Sequence, residues 1–563
     1  MKIAIAQIDP IVGAFDSNIK KIKISYERAC QAQARLLLTP EMGVCGYPPH
    51  DLIDRPEMLL RNEAALDQLA ALTLNKSCAL AVGHVSANPL PFGRKVRNTV
   101  TILEGGKRVY AQSKSLLPTY DVFDETRYFE PAQNIEPWVC DGIRIGVAIC
   151  EDLWATDPVQ PRPLYDRNPV DTYLKQEIKM LISLSASPYE WAKRERREKL
   201  HSDIAKKLGV PLVYVNQVGA TDEILFDGGS FALLPTGESA GRLPFFQTSF
   251  GVLNWDSKKG LIFESPEIVK REDKNPEEIE LLCRGLVSGV REYFSRNGFK
   301  KAIIGLSGGI DSAVACTLIT HALGPENVLG VAMPSQFSSS HSLEDAEILA
   351  KNLKIRLEVR PIKFLFSTAS RELSERRGGQ LNPVASENLQ SRLRGMTLMT
   401  FDNHDGALVI TTGNKSELAT GYCTLYGDAI GALAPLGDLF KTRVYQLARF
   451  MNQLWGAPIP ERSIAKAPSA ELKPNQTDQD TLPPYEALDA LLEDYIENLV
   501  SVDELIKKFG GAKGAPGPHW VTETLRRLEI NEYKRRQAPP VLKVSRKAFG
   551  IGRRIPISKN WDQ

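Results

Sequence analysis

Short apolar runs alternate with amphipathic stretches along both halves of the chain. In the first half the runs at 3–8, 36–39, 78–85, 99–103, 143–149, 181–184, 212–215 and 230–234 have the length and content of buried strands. Between them, 18–34 and 190–208 carry apolar positions at helical spacing and predict helices. That alternation predicts a layered α/β domain. The segment 266–276 is charged and lacks apolar periodicity, so it reads as a linker between a first domain, 1–265, and a second, 277–563. Asn275-Pro276-Glu277-Glu278 has the form of an N-cap, a proline at the first helical position and acids in the first turn. The helix it predicts carries Ile279, Leu282, Leu286, Val290, Tyr293 and Phe294 on one face. Strand runs then return at 302–306, 328–332, 355–359 and 408–411, with helices between them. This pattern predicts a doubly wound parallel sheet with its ligand at the carboxyl ends of the strands. The stretch 463–484, rich in Pro, Ser, Asn and Asp, predicts a mobile loop over that ligand.

Composition narrows the function classes. The 563 residues carry a formal net charge of +2, which speaks against a general nucleic-acid surface. No apolar stretch is long enough to cross a bilayer, and the first run reads as a strand, not a signal peptide. Eight cysteines and seven histidines occur without CxxC, HxxxH or HExxH spacing. That excludes a disulfide framework and the common zinc sites, and points to a reducing, cytoplasmic compartment.

The most informative string is Gly305-Leu306-Ser307-Gly308-Gly309-Ile310-Asp311-Ser312, between an apolar run and a helical one. Paired glycines let backbone N–H groups close on an anion at a helix N-terminus. Asp311 would repel a bare phosphate, so the loop predicts a nucleotide that arrives with a divalent cation, Mg²⁺. In the first half, three strings place reactive side chains together with apolar or extended segments: Thr39-Pro40-Glu41-Met42, Ser113-Lys114-Ser115 and Ala148-Ile149-Cys150-Glu151-Asp152. A thiol, a carboxylate base and a lysine to stabilise an oxyanion suit amide hydrolysis through a thioester. The polar, proline-rich insert 157–175 after Cys150 predicts only a surface loop near this site.

The octet resembles the pyrophosphate-binding loop of ATP pyrophosphatases. The Glu–Lys–Cys strings resemble the nitrilase (carbon–nitrogen hydrolase) superfamily. Joined in one chain, the two halves resemble the glutamine-dependent NAD⁺ synthetase family. The resemblance implies an N-terminal nitrilase-like α-β-β-α sandwich and a C-terminal doubly wound parallel-sheet ATP-pyrophosphatase domain. It implies a ligase that hydrolyses glutamine, passes ammonia through an internal tunnel, adenylylates deamido-NAD⁺ with ATP and Mg²⁺, and yields NAD⁺, AMP and pyrophosphate. In this resemblance Glu41 is the general base, Lys114 the electrostatic stabiliser, Cys150 the nucleophile and Glu125 an auxiliary acid. Tyr120, Ser187 and Lys193 correspond to the glutamine contacts. Gly305 through Ser312, Thr412 and Lys441 correspond to the ATP contacts. Asn388, Glu417 and Lys534 correspond to the deamido-NAD⁺ contacts, and Asp311 and Glu417 to the Mg²⁺ ligands. The family also implies a homo-oligomer. Another ATP-pyrophosphatase amidotransferase, or a tRNA-modifying enzyme, is the alternative, and the balanced charge disfavours the latter.

Overall fold

Strands buried on both faces are largely apolar, and the central strands here are. In the first half, Leu36–Leu38, Ala79–Ala87 and Ile143–Ile149 bury nearly every side chain. The computed structural model describes residues 1–157, 162–256, 260–264, 276–375, 378–474, 476–511, 517 and 519–560. It divides into two compact units, Met1–Pro276 and Glu277–Gln563. The expected linker 266–276 lies, apart from Pro276, outside the described residues.

The first unit contains a seven-stranded and a six-stranded sheet. In the former, Lys2–Gln7, Leu36–Leu38 and Ala79–Ala87 run parallel, and the flanking strands are antiparallel. In the latter, Ile143–Ile149, Met180–Ser185 and Leu212–Asn216 run parallel. Alternate residues of the two sheets, Ile3, Ile5, Leu36 and Leu38 from one and Ile145, Val147, Ile149, Ile182 and Val213 from the other, form one shared core. The intervening residues Ala148, Leu181, Leu212 and Tyr214 pack outward on Tyr173, Leu200 and Ile204, from the helices Pro169–Lys175 and Lys193–Leu208. Helix Pro56–Leu72 packs on the other sheet and on helix Phe15–Gln31. The result is the expected four-layer sandwich.

The helix expected from residue 18 starts at Phe15. Asn18 lies inside it, fully buried, and ties Ile11 and Val44 to the helix through its amide. Strand Ser249–Asp256 had no sequence signal, because Ser249, Gly251 and Asn254 interrupt its apolar period. It pairs antiparallel with Lys2–Gln7. Part of the insert expected as loop is the helix Pro169–Lys175; residues 158–161 of it are outside the described set.

The second unit holds a four-stranded parallel sheet ordered Arg356–Val359, Val328–Ala332, Ala302–Gly305, Leu408–Ile410. The chain builds outward from its first strand and then returns to the other side of it. The switch point lies between Ala302–Gly305 and Leu408–Ile410, where such sheets open a ligand crevice. The helix before the first strand is Glu278–Arg296. Its N-cap is Glu277, whose extended backbone starts the helix two residues later than the Asn275 expectation; Asn275 is outside the described residues.

Candidate active sites

In the first unit the turn bearing Glu41 follows the strand Leu36–Leu38, and Lys114 directly follows Lys107–Ser113. Cys150 directly follows Ile143–Ile149 of the facing sheet. The three therefore meet at one end of the sandwich, all buried. Lys114 Nζ donates to Glu41 Oε1 at 2.8 Å and to Glu125 Oε1 at 2.7 Å. Glu41 also accepts from Asn98 Nδ2 at 2.7 Å and from the Ala186 N–H at 2.9 Å. Glu125 accepts from the Tyr47 hydroxyl at 2.8 Å. The strand Ala79–Ala87 can approach the Glu41 turn because residue 83 is glycine: a Cβ there would sit 2.4 Å from the Met42 nitrogen.

Cys150 has φ +42°, a left-handed conformation a non-glycine residue rarely adopts, at a sharp strand-to-turn bend. Burial pushes its thiol up, the Glu41 charge adds to this, and Lys114 opposes. Burial works against the Lys114 ammonium, but Glu125 and Glu41 more than restore it, so it stays charged well above the usual lysine range. Burial also pushes the Glu125 carboxyl up, against the pull of Lys114. The thiol is therefore harder to ionise here than a free cysteine.

Beside Cys150, Glu151 is buried with no cationic partner within ion-pair distance among the described residues. It accepts from the hydroxyls of Tyr120, at 3.1 and 3.0 Å, and of Tyr165, at 2.8 Å. Burial pushes its carboxyl up to about 7. Ser187 is held through its backbone by Asn216, which accepts from its N–H at 2.8 Å and donates to its carbonyl at 3.2 Å. Asn216 also donates to Asp227, which forms a buried pair with Arg197 at 3.1 Å. Lys193 Nζ donates to the Pro188 carbonyl at 3.1 Å and lies over the Trp154 ring.

In the second unit the octet forms the turn between strand Ala302–Gly305 and helix Ile310–Leu323. Gly308 has φ +76°, and a Cβ on it would lie 2.3 Å from the Ser342 carbonyl oxygen, so no other residue closes this turn. Ser307 and Ser312 bond each other at 3.2 Å. A cavity of about 270 Å³ opens beside the loop, lined also by Thr412, Glu417, Lys441, Arg394 and the segment from Ser463 to Leu472. The octet contributes every residue except Gly308 to that lining. The expected covering loop is anchored by Ser463 Oγ, which donates to the Gly308 carbonyl at 3.0 Å.

Lys441 Nζ bonds Asp311 and lies 3.4 Å from Glu417 Oε1. Asn414 caps the helix Lys415–Thr420 and donates to Asp311 Oδ1 at 3.0 Å. Burial pushes Glu417 up, with Lys441 opposing. Asn388 and Lys534 are not among the lining residues of this cavity. Asn388 accepts from Thr424 Oγ1 at 2.7 Å, and Lys534 donates to the carbonyls of Gly421 and Cys423 at 2.7 and 2.9 Å.

Sequence reasoning missed Glu151, Tyr165 and Arg394. Glu151 had a signal, since it follows Cys150 at a strand end. Tyr165 had none, because it comes from the insert. Arg394 lies in the string that drew attention to Asn388. Its Nε donates to the Met333 carbonyl at 3.1 Å, and burial lowers its guanidinium pKa because Glu471 and Asp428 compensate only in part.

Residues 2–256 match the carbon-nitrogen hydrolase family model, and residues 282–538 match the NAD synthase model. The glutamine-dependent NAD(+) synthetase of Synechocystis sp. is 43% identical, with 99% of this chain and 98% of the relative covered. That of Thermotoga maritima is 36% identical, with 100% and 99% covered. The structure of the glutamine-dependent NAD+ synthetase of Acinetobacter baumannii, in complex with adenosine diphosphate, superposes with a TM-score of 0.76 at 35% identity. That match covers 99% of this chain and 98% of that one.

Proposed function

The chain belongs to the glutamine-dependent NAD(+) synthetase family, and from that membership we propose which residues carry its ATP-dependent amidation of deamido-NAD⁺ to NAD⁺. The first domain, 1–265, with its Glu41–Lys114–Cys150 cluster, is the glutaminase. The Cys150 sulfur attacks the glutamine side-chain carbonyl as its proton passes to Glu41, and Lys114 stabilises the oxyanion. The C–N bond breaks, ammonia leaves with the proton, and water hydrolyses the thioester to glutamate. Glu125 tunes Lys114. The buried Glu151 carboxylate, lacking a cation, takes the α-ammonium of the substrate. Tyr120, which donates to Glu151, contacts the glutamine together with Ser187 and Lys193.

The second unit, 277–563, is the synthetase. The octet, Thr412, Lys441 and Arg394 hold the nucleotide. A carboxylate oxygen of deamido-NAD⁺ attacks the α-phosphorus, and the bond to pyrophosphate breaks. Ammonia then attacks the acyl carbon and AMP leaves. Asn388, Glu417 and Lys534 contact the dinucleotide. Asp311 and Glu417 both face the Lys441 ammonium, so the two carboxylates surround one cationic centre. Two hard carboxylates fit Mg²⁺, which keeps waters and phosphate oxygens as its other ligands. Bound there, the ion would neutralise phosphate charge. Phe364, Leu373, Val384 and Met396 are exposed on the helices Lys363–Ser374 and Pro383–Asp405, which supports a homo-oligomer. No described helix is long and apolar enough to cross a membrane, which accords with a cytoplasmic site of action.

The observation that carries this reading is the convergence of Glu41, Lys114 and Cys150 in one chain with an octet that lines a cavity at a sheet switch point. The test is product analysis with deamido-NAD⁺, ATP and either glutamine or ammonium. NAD⁺ and AMP should appear in equal amounts with both donors. ATP cleavage to ADP, or no NAD⁺ with either donor, overturns the reading.

A further inference from the structure

The insert after Cys150 has no part in the chemistry derived so far, yet it reaches the glutaminase pocket. Arg167 fixes the segment by donating through Nη2 to the carbonyls of Ser115 and Ala132, each at 2.7 Å. Ser115 is the residue after Lys114. Two positions before Arg167, Tyr165 turns inward and donates to Glu151 Oε1 at 2.8 Å. Tyr120 spans both oxygens of the same carboxylate. Tyr120, Glu151, Trp154, Asp157, Leu164 and Tyr165 enclose about 10 Å³, the scale of a single water or ammonium group. Among the described residues, Oε1 of Glu151 thus accepts from both tyrosines and Oε2 from Tyr120 alone, which leaves Oε2 the less occupied oxygen.

We propose that Tyr165 is a positioning residue for substrate selection in the glutaminase: it fixes Glu151 so that this carboxylate receives the α-ammonium of an α-amino acid amide. The proposal rests on the glutaminase reading above. It explains why the chain carries an insert pinned beside Lys114. It also assigns discrimination between glutamine and amides without an α-amino group to a residue outside the Glu–Lys–Cys cluster. The groups facing Glu151 are Tyr165 from the insert, Tyr120 from the turn after Lys114, Lys114 itself, Glu125 from its short helix, and the neighbouring Cys150. Burial raises the carboxyl, and the Tyr165 hydrogen bond is the foremost influence pulling it back. Loss of that hydroxyl shifts the ionisation to higher pH.

The test is glutamine-dependent NAD⁺ formation by full-length Tyr165→Phe as a function of pH, beside ammonium-dependent formation by the same preparation. The KM for glutamine should rise about tenfold, the scale of one hydrogen bond to a charged acceptor. The kcat should hold within about twofold. The acid limb of kcat/KM for glutamine should move to higher pH, and ammonium-dependent synthesis should not change. Arg167→Met, which frees the segment without touching Glu151, should move KM and the acid limb in the same direction. An unchanged KM in Tyr165→Phe overturns the proposal. So does a fall in kcat with the acid limb in place, which is what a merely structural contact gives. If the unaltered enzyme makes no NAD⁺ from glutamine, the glutaminase reading itself fails. If it does and Tyr165→Phe matches it, only this inference falls.

Discussion

At the scale of single residues, the glutaminase cluster combines strain with burial. Cys150 holds φ +42°, and four ionisable groups around it, Glu41, Lys114, Glu125 and Glu151, are all buried. Such a concentration of buried charge is a cost that folding offsets elsewhere, and functional sites are where proteins tolerate it. Glu151 makes the cost measurable. An ordinary glutamate titrates near 4.5, and this one is pushed up to about 7. A group whose folded pKa is raised contributes stability below its unfolded pKa and loses that contribution as pH rises through the folded one. The native enzyme should therefore lose on the order of 3 kcal/mol from this carboxyl between about pH 4.5 and pH 7. Glu151→Gln cannot ionise. Its melting temperature relative to the native enzyme should be higher at pH 8.5 than at pH 5, as differential scanning calorimetry reads directly, while its use of glutamine falls. A melting difference independent of pH sinks this account of Glu151.

At the scale of elements, one buried side chain joins the two sheets at the site. Asp152 Oδ1 accepts from the Ser115 N–H at 2.9 Å, the Ser115 hydroxyl at 2.7 Å and the Leu116 N–H at 3.0 Å. Its Oδ2 accepts from the Ile149 N–H at 3.0 Å. It thus fixes the segment after Lys114 to the residue before Cys150. Asp152→Ala strands four buried donors, and at roughly 1 kcal/mol or more for each it should cost at least ~4 kcal/mol. Glutamine-driven synthesis should be lost well before ammonium-driven synthesis when both are assayed below the lowered melting temperature. Equal loss of the two would refute the linking role. The same scale shows what the sequence could reveal. In the second unit Ala302–Gly305, Val328–Ala332 and Leu408–Ile410 announce themselves as continuous, largely buried apolar runs, whereas the edge strand Arg356–Val359 carries Arg356 and Glu358 and buries none of its residues. Glu41, Lys114 and Cys150 were legible from strand-end position and from resemblance. Tyr165 was not, because a tyrosine in a polar insert carries no pattern until folding brings it to Glu151. Strand Ser249–Asp256 was hidden for a related reason: its pairing with Lys2–Gln7 depends on a partner some 250 residues away, not on its own periodicity.

At the scale of the whole molecule, two chemistries share one chain, and each has its own buried nucleus. The described contacts of the Cys150 cluster, including those of Tyr165 and Ala186, come from the first unit, and the Asp311–Lys441–Glu417 cluster is drawn from the second. Their losses should therefore separate. Cys150→Ala removes the thiol but leaves the octet and the Asp311 cluster untouched. It should abolish NAD⁺ formation from glutamine and leave formation from ammonium within about twofold of the native rate, since free ammonia supplies the same nitrogen. Asp311→Asn removes a charge that Lys441 and Asn414 both contact. It should stop NAD⁺ formation with either donor, by about 10²-fold or more if the carboxylate organises charge around the reacting phosphates. Glutamate should still accumulate from glutamine in that variant, because the first unit keeps its whole machinery. Assays of glutamate and NAD⁺ on the same samples measure both outcomes. Ammonium-driven synthesis that dies with Cys150, or survives without Asp311, would mean that the two clusters do not divide the reaction as their separate composition requires.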